Sequence, residues 1–453
     1  MNNKKVRQNQ QDQKAASGTA SPQAPNQNVG LPKVLRAREP DREARAILRM
    51  LNLSPQVSLD RLSVDSFRKG WLLAAKALGR RIPVASVTEQ VIVGPGGPMT
   101  LRIFKPSHTD ELLPAFLWCF GGGFVIGGLD SADSVCRNIA HYAGCITVAI
   151  SYRLAPEHTI SASREDVLAA VNWIAENGAE LGIDTTRLAL GGDSAGGNLT
   201  AAISQELLRR DGPTLRMQVM VYPATELVEK FPSYEENIHG RYFLTAEAVA
   251  WLEERLSESL MTLDIEDPWY SPRRSPDLRG LPPAVIVTAG FDPIRDDGLD
   301  YGVRLRAAGV PVEMLHYAGQ FHGFINFDSV LGAARDVLKR ISEALVAAFD
   351  EAPAADRTIE IADEPSPAGS GLRAAGELTT ATVTVWAATV RWRDMLLRMA
   401  SPRAARATRL LLKPWSLPTA LLRRRINSRL DTLSARQTYP HACTCPTKQR
   451  KAA

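Results

Sequence analysis

The chain has 453 residues, 54 Lys+Arg against 49 Asp+Glu, a formal net charge of +5, and 45% hydrophobic and 23% charged side chains, a makeup ordinary for a soluble globular protein. Five cysteines (Cys119, Cys136, Cys145, Cys443, Cys445) are too few and scattered for a disulfide scaffold, which points to a reducing, cytoplasmic setting. Lys4, Lys5 and Arg7 lead into Gln, Asn and Asp rather than an apolar segment, so no secretory signal is expected, and the uncharged stretch 378–390 is too short to span a bilayer.

In chain order, residues 1–35 are rich in Asn, Gln, Lys and Pro and read as a disordered tail. Between 42 and 77, the apolar positions Ala46, Ile47, Met50 and Leu51, then Leu62, Phe67, Trp71, Leu72 and Leu73, predict amphipathic helices. Segments 87–93 and 99–104, split by Gly94-Pro95-Gly96-Gly97-Pro98, predict a β-hairpin. Apolar runs at 114–120, 145–152, 187–190, 217–222, 284–289 and 312–317 then alternate with helical stretches such as 162–173 and 299–308, and a helix over 330–349 closes the domain. Strands alternating with helices predict an α/β fold with a mostly parallel sheet covered on both faces, occupying 36–350. Residues 351–376, acidic and proline-bearing, read as a linker, and 377–453 form a basic, partly amphipathic extension.

The most telling stretch is Gly192-Asp193-Ser194-Ala195-Gly196, preceded by the apolar run Arg187 to Gly191 and followed by a helical pattern from Gly197. Strand, sharp turn and helix together make this a nucleophile elbow, in which the turn pushes the Ser194 hydroxyl into the open. A serine hydroxyl needs a base to take its proton and a third group to hold that base, and on such a sheet the chain order is Ser, Asp or Glu, His. Of the histidines beyond Ser194, His316 lies inside a strand, His239 in an earlier polar loop and His441 in the tail; His322, just past the last strand, is the candidate base. Asp292 comes directly off the preceding strand and is the candidate acid, with Asp296 in reserve; Asp296 and Asp297 are expected to cap a helix or pair with Arg295. The oxyanion of a tetrahedral intermediate needs donors, which the Ala195 amide and the glycine loop Phe120-Gly121-Gly122-Gly123-Phe124 can supply. No Gly-Lys-Ser/Thr follows that loop, so it is not a phosphate loop.

With these blocks in order, and with Tyr152-Arg153-Leu154-Ala155-Pro156-Glu157-His158 and Asp292-Pro293-Ile294-Arg295-Asp296 among them, the chain resembles the hormone-sensitive-lipase-like family of α/β-hydrolases over about residues 40–350. The resemblance implies Ser194 as nucleophile, His322 as base, Asp292 as orienting acid, and an oxyanion hole at the amides of Gly122, Gly123 and Ala195. It also implies a helical cap built from 40–80 and 230–260, whose inner face, with Phe124, Phe243 and Trp251, binds the substrate. Such enzymes cleave short to medium acyl esters and need no cofactor or metal. The family carries His where this chain has Phe120; phenylalanine braces the loop by packing but cannot donate, so a less ordered oxyanion loop is expected. Ser151 and the run Thr159-Ile160-Ser161 are further departures, and His158 is read as structural.

The expected function is therefore a serine carboxylesterase or lipase acting on a small-molecule ester. A non-catalytic binding protein and an acyltransferase on the same fold are the alternatives; the presence of all triad positions favours the enzyme. The arginine- and leucine-rich extension reads either as a poorly ordered basic tail or as a peripheral contact with anionic membrane surfaces, and it matches no nucleic-acid recognition motif. Cys443 and Cys445 near His441 make a weak metal-binding pattern, and no oligomeric state is assigned.

Overall fold

The computed structural model describes residues 31–34, 36–53, 63–363 and 433–438. Helices α1 (Arg42–Leu53) and α2 (Val64–Leu78) come first. The Ser63 side chain caps α2 by accepting from the Ser66 amide at 3.2 Å, and the Gly79 amide closes the helix on the Ala75 carbonyl at 2.8 Å. Strands β1 (Ser86–Gly94) and β2 (Gly97–Lys105) pair antiparallel with Gly94 opposite Gly97, and Gly97 at φ +115° turns the chain as the sequence predicts. There follow β3 (Leu113–Cys119), α3 (Leu129–Ala143), β4 (Ile146–Ile150), α4 (Ile160–Asn177), β5 (Ile183–Asp193), α5 (Ala195–Arg209) and β6 (Leu215–Val221). The short helices α6 (Pro232–Asn237), α7 (Ala246–Arg255) and α8 (Ser257–Thr262) interrupt the alternation before β7 (Ala284–Phe291), α9 (Arg295–Ala307), β8 (Val312–Phe321), α10 (Gly332–Phe349), β9 (Arg357–Asp363) and β10 (Leu433–Thr438).

The strands form one sheet in the order β1-β2-β4-β3-β5-β6-β7-β8-β9-β10, parallel from β4 through β9 and antiparallel at both ends. Every residue of β4, β7 and β8 is buried, the pattern of strands covered on both faces, where α3 packs with α10 and α4 with α5. This is the mostly parallel α/β sheet that the alternation predicts, in the α/β-hydrolase fold that the resemblance implies.

Four readings need correction. The stretch 351–376 is not linker throughout, since β9 spans Arg357–Asp363 and buries Ile359 and Ile361 at the edge of β8. The sheet thus extends past 350 and takes β10 from the basic extension, where no strand was expected. Leu31 and Val34 pack against a buried cluster, so the segment 31–34 is not part of a disordered tail. Asp297 makes no ion pair with Arg295; it is buried near Glu226 and Asp292, and burial holds its carboxyl well above the usual range, whereas Asp296 does pair with Arg295 at 2.8 Å. The remainder of the tail 1–35, of the linker and of the extension, including Cys443, Cys445 and His441, lies outside the described residues. No helix among the described residues is long and apolar enough to cross a membrane.

Candidate active site

Every group of the candidate site leaves the carboxyl end of a parallel strand: the glycine loop follows β3, Ser194 follows β5, Asp292 follows β7 and His322 follows β8. Between β5 and α5 the chain has no room for side chains. A Cβ on Gly192 would stand 2.3 Å from the Gly196 carbonyl oxygen, and one on Gly196 would stand 2.0 Å from that of Cys119. The turn holds Ser194 at φ 56°, ψ −117°, a strained conformation for a residue with a side chain, tied down by its amide donating to the Val221 carbonyl at 2.9 Å.

Ser194 Oγ lies 2.9 Å from His322 Nε2, and His322 Nδ1 lies 2.8 Å from Asp292 Oδ2. The Ile294 amide donates to the other Asp292 oxygen at 2.9 Å, so the carboxylate is held at both ends and fully buried. The structure thus brings together Ser194, His322 and Asp292, and leaves Asp296 on the Ser233 amide and Arg295 instead. His316, read as a packed side chain, is buried in β8 at 2.8 Å from the Thr288 hydroxyl. A hydrogen-bonded row of this kind lets the imidazole draw the serine proton while the carboxylate holds the ring's tautomer and stabilises its cation.

The glycine loop curls over the start of α5. Gly122 at φ +131° and Gly123 at φ +60° take conformations open to glycine, and the amides of Val125 and Ile126 both close on the Gly122 carbonyl, at 3.1 and 2.9 Å. Among the described residues no protein acceptor takes the Gly122 or Gly123 amides.

The loop is better braced than Phe120 alone predicts. The Phe120 ring stacks on Tyr152 with centroids 4.3 Å apart and planes at 13°, and the Tyr152 hydroxyl donates to the Phe120 carbonyl. Asp193 accepts the Gly121 amide at 2.8 Å, and its other oxygen faces the Asn326 side-chain amide at 3.4 Å. Burial pushes the Asp193 carboxyl up to about 6, against the pull of that Gly121 bond.

A cavity of about 880 Å³ opens above the row. Phe124, Phe243 and Trp251 line it as expected, joined by Phe67 and Trp71 of α2. Phe67 meets Trp251 at 4.8 Å and Trp71 meets Phe243 at 6.0 Å, so the two cap segments close on one another through aromatic rings. Residues 54–62, inside the first cap segment, lie outside the described residues.

Two neighbours escaped the sequence reading. Tyr222, at φ 36° just past β6, is fully buried with its ring 4.7 Å from that of His322. Its position at a strand's carboxyl end was the available signal. Arg164, a charged residue within a helical pattern, is also fully buried, and nothing local marked it. Among the described residues no group of His, Cys, Asp and Glu is arranged to hold a metal ion.

Comparison with known proteins agrees with this fold. The family described as alpha/beta hydrolase fold matches residues 116–326. Esterase LipI of Mycobacterium tuberculosis is 39% identical over 262 residues, covering 57% of this chain and 81% of the relative. Carboxylesterase NlhH of the same species is 42% identical over 250 residues, covering 53% of this chain and 75% of the relative. The solved structure of a hyperthermophilic esterase from the archaeon Pyrobaculum calidifontis superposes with a TM-score of 0.61 at 34% identity, covering 67% of this chain and 96% of that one.

Proposed function

The chain belongs to the hormone-sensitive-lipase-like family of α/β-hydrolases and is a carboxylic ester hydrolase, and we propose that it works through an acyl-enzyme formed on Ser194. The observation that carries this reading is the row Ser194 Oγ, His322 Nε2 and Nδ1, Asp292 Oδ2, with separations of 2.9 and 2.8 Å, set beneath the cavity. His322 takes the Ser194 proton as the oxygen attacks the ester carbonyl, and Asp292 holds the ring and stabilises its cation. The amides of Gly122, Gly123 and Ala195 receive the oxyanion. Collapse of the intermediate breaks the bond to the alcohol, which leaves with the proton from His322. A water then repeats the sequence on the acyl-enzyme, with His322 again as base, and releases the carboxylic acid.

The substrate is an ester with a short to medium acyl group. A volume of about 880 Å³ under aromatic walls supports that size class, with Phe124, Phe243 and Trp251 as contact residues. Hydrolysis of p-nitrophenyl esters of increasing chain length, against a Ser194→Ala control, tests the reading. Turnover by the control equal to wild type would sink it. The setting is cytoplasmic, and the basic extension 377–453 touches anionic membrane surfaces; composition supports this, and co-sedimentation with anionic liposomes, lost on truncation, is the check.

A further inference from the structure

Arg164 on α4 is fully buried, and among the described residues no carboxylate pairs with it. Its acceptors are neutral. Nε donates to the Trp269 carbonyl at 2.5 Å, Nη1 to the Ile160 carbonyl at 3.0 Å, and Nη2 to the Tyr270 carbonyl at 3.2 Å and the Asn198 side-chain oxygen at 2.5 Å. A guanidinium held this way costs much to bury, because dipoles and ring faces, with no opposite charge, replace its water.

The two sides of this guanidinium lead to the two halves of the oxyanion hole. On one side stands Asn198, in the first turn of the helix that begins with Ala195. The Asn198 amide donates to the Ser194 carbonyl at 3.1 Å, and its side chain donates to the Ala224 and Tyr270 carbonyls at 2.6 and 2.9 Å. On the other side the Phe124 ring lies with its centroid 5.2 Å from the guanidinium carbon. Phe124 directly follows Gly122 and Gly123, and it sits at φ 60° with its carbonyl accepting the Ala155 amide at 2.9 Å.

We propose that Arg164 is a positioning residue of the oxyanion hole, setting the separation between the glycine loop and the N-terminus of α5. This rests on the reading of Gly122, Gly123 and Ala195 as the oxyanion donors. Lysine keeps the charge at 164 but cannot hold four acceptors in the plane of a guanidinium, and methionine keeps the length alone.

Full-length Arg164→Lys and Arg164→Met are assayed on p-nitrophenyl butyrate, with active sites counted by a fluorophosphonate. A trifluoromethyl ketone, which adds the serine oxygen and leaves an oxyanion, serves as transition-state probe. A misplaced oxyanion hole lowers kcat of Arg164→Met about 10- to 100-fold, leaves KM within about twofold, and weakens the ketone in proportion to kcat/KM, with the lysine variant between. Unchanged kcat per titrated site, with only a lower melting temperature, would overturn the proposal. Should the methionine variant not fold, Arg164→Lys decides alone: kcat down about fivefold or more with KM unchanged supports the role, and wild-type kcat refutes it. Ser194→Ala in the same assay keeps the premises separate. Turnover or labelling in that variant would mean the nucleophile is elsewhere, whatever Arg164 does.

Discussion

Asp41 leads into α1, and Asp363 ends β9; both are carboxyl groups withdrawn from water in one place. The Asp363 amide donates to Asp41 Oδ1 at 3.3 Å, Gln320 donates to Asp41 Oδ2 at 2.7 Å, and the Arg42 amide donates to Asp363 at 3.0 Å. Burial, and then the charge of Asp363, push the Asp41 carboxyl from 3.8 up to about 7, against the pull of Gln320 and Arg45. Folded Asp41 therefore keeps a proton that the unfolded chain has already lost, so stability declines as pH rises from about 4 through about 7 and the loss is complete above that. At about 1.4 kcal/mol for each pH unit between the two values, the whole loss is about 4 kcal/mol, of which about 3 falls between pH 5 and pH 8.

Asp41→Asn removes this titration at little cost in bonding. Its oxygen can still accept the Asp363 amide, and its Nδ2 meets Gln320, whose Oε1 has no partner among the described residues and accepts once that amide turns over. With about 1.5 °C per kcal/mol for a domain of this size, the melting temperature of Asp41→Asn relative to wild type should be about 4 °C more favourable at pH 8 than at pH 5. Thermal unfolding followed by circular dichroism, at matched ionic strength, reads the difference directly. The same offset at both pH values, or a larger one at pH 5, would refute the reasoning. The matter bears on function because α1 carries Leu48, Leu51 and Asn52 of the cavity wall.

Other outcomes follow from the site. Asp292→Asn keeps the shape but presents the wrong group to His322 Nδ1, so kcat should fall about 10⁴-fold with KM little changed, read by steady-state kinetics. In Gly122→Ala the new methyl carbon would stand 2.2 Å from the Ile126 carbonyl oxygen at a φ of +131°, so the loop must move; kcat should drop about 100-fold or more in protein that still folds, as circular dichroism would report. A truncation after residue 350 removes β9 and bares the edge of β8, whereas one after 363 keeps β9. The shorter product should aggregate in size-exclusion chromatography while the longer one keeps more esterase activity.

The elbow and the convergence of His322 and Asp292 on Ser194 were legible because each is a local pattern whose chain order the fold constrains. Strand, turn and helix around Ser194 can be read within a short window, and Asp292 and His322 each stand just past an apolar run. What stayed hidden depends on distant partners. β9 hides in acidic, proline-bearing sequence because only Ile359 and Ile361 carry its burial, and β10 finds it from across the extension. Arg164 reads as one more charged position on a helix, and its burial is decided by the Trp269 and Tyr270 carbonyls, 105 and 106 residues away. Asp297 misled in the same way, since the carboxylate it is buried against, Glu226, lies 71 residues earlier, past β6.

Phe120 shows how the consequence of a departure from a family pattern depends on contacts that the sequence does not display. A phenyl ring indeed donates nothing, so a loop that relied on a donor at that position would loosen. Here the donor comes from across the stack. The Tyr152 hydroxyl reaches the Phe120 carbonyl, the face of its ring lies on Phe120, and Gly127 leaves room, since a Cβ there would stand 2.5 Å from the phenyl edge. Asp193, inside the elbow, supplies the acceptor for the Gly121 amide. Bracing of the glycine loop thus rests on a stacked pair and a carboxylate, all buried around the strand ends that hold the Ser194 turn. Restoring histidine at 120 would set a polar ring into this apolar slot, where its nitrogens lose water and the tyrosine stack weakens by about 1 kcal/mol. The substitution that looks like a repair should therefore lower stability without raising kcat.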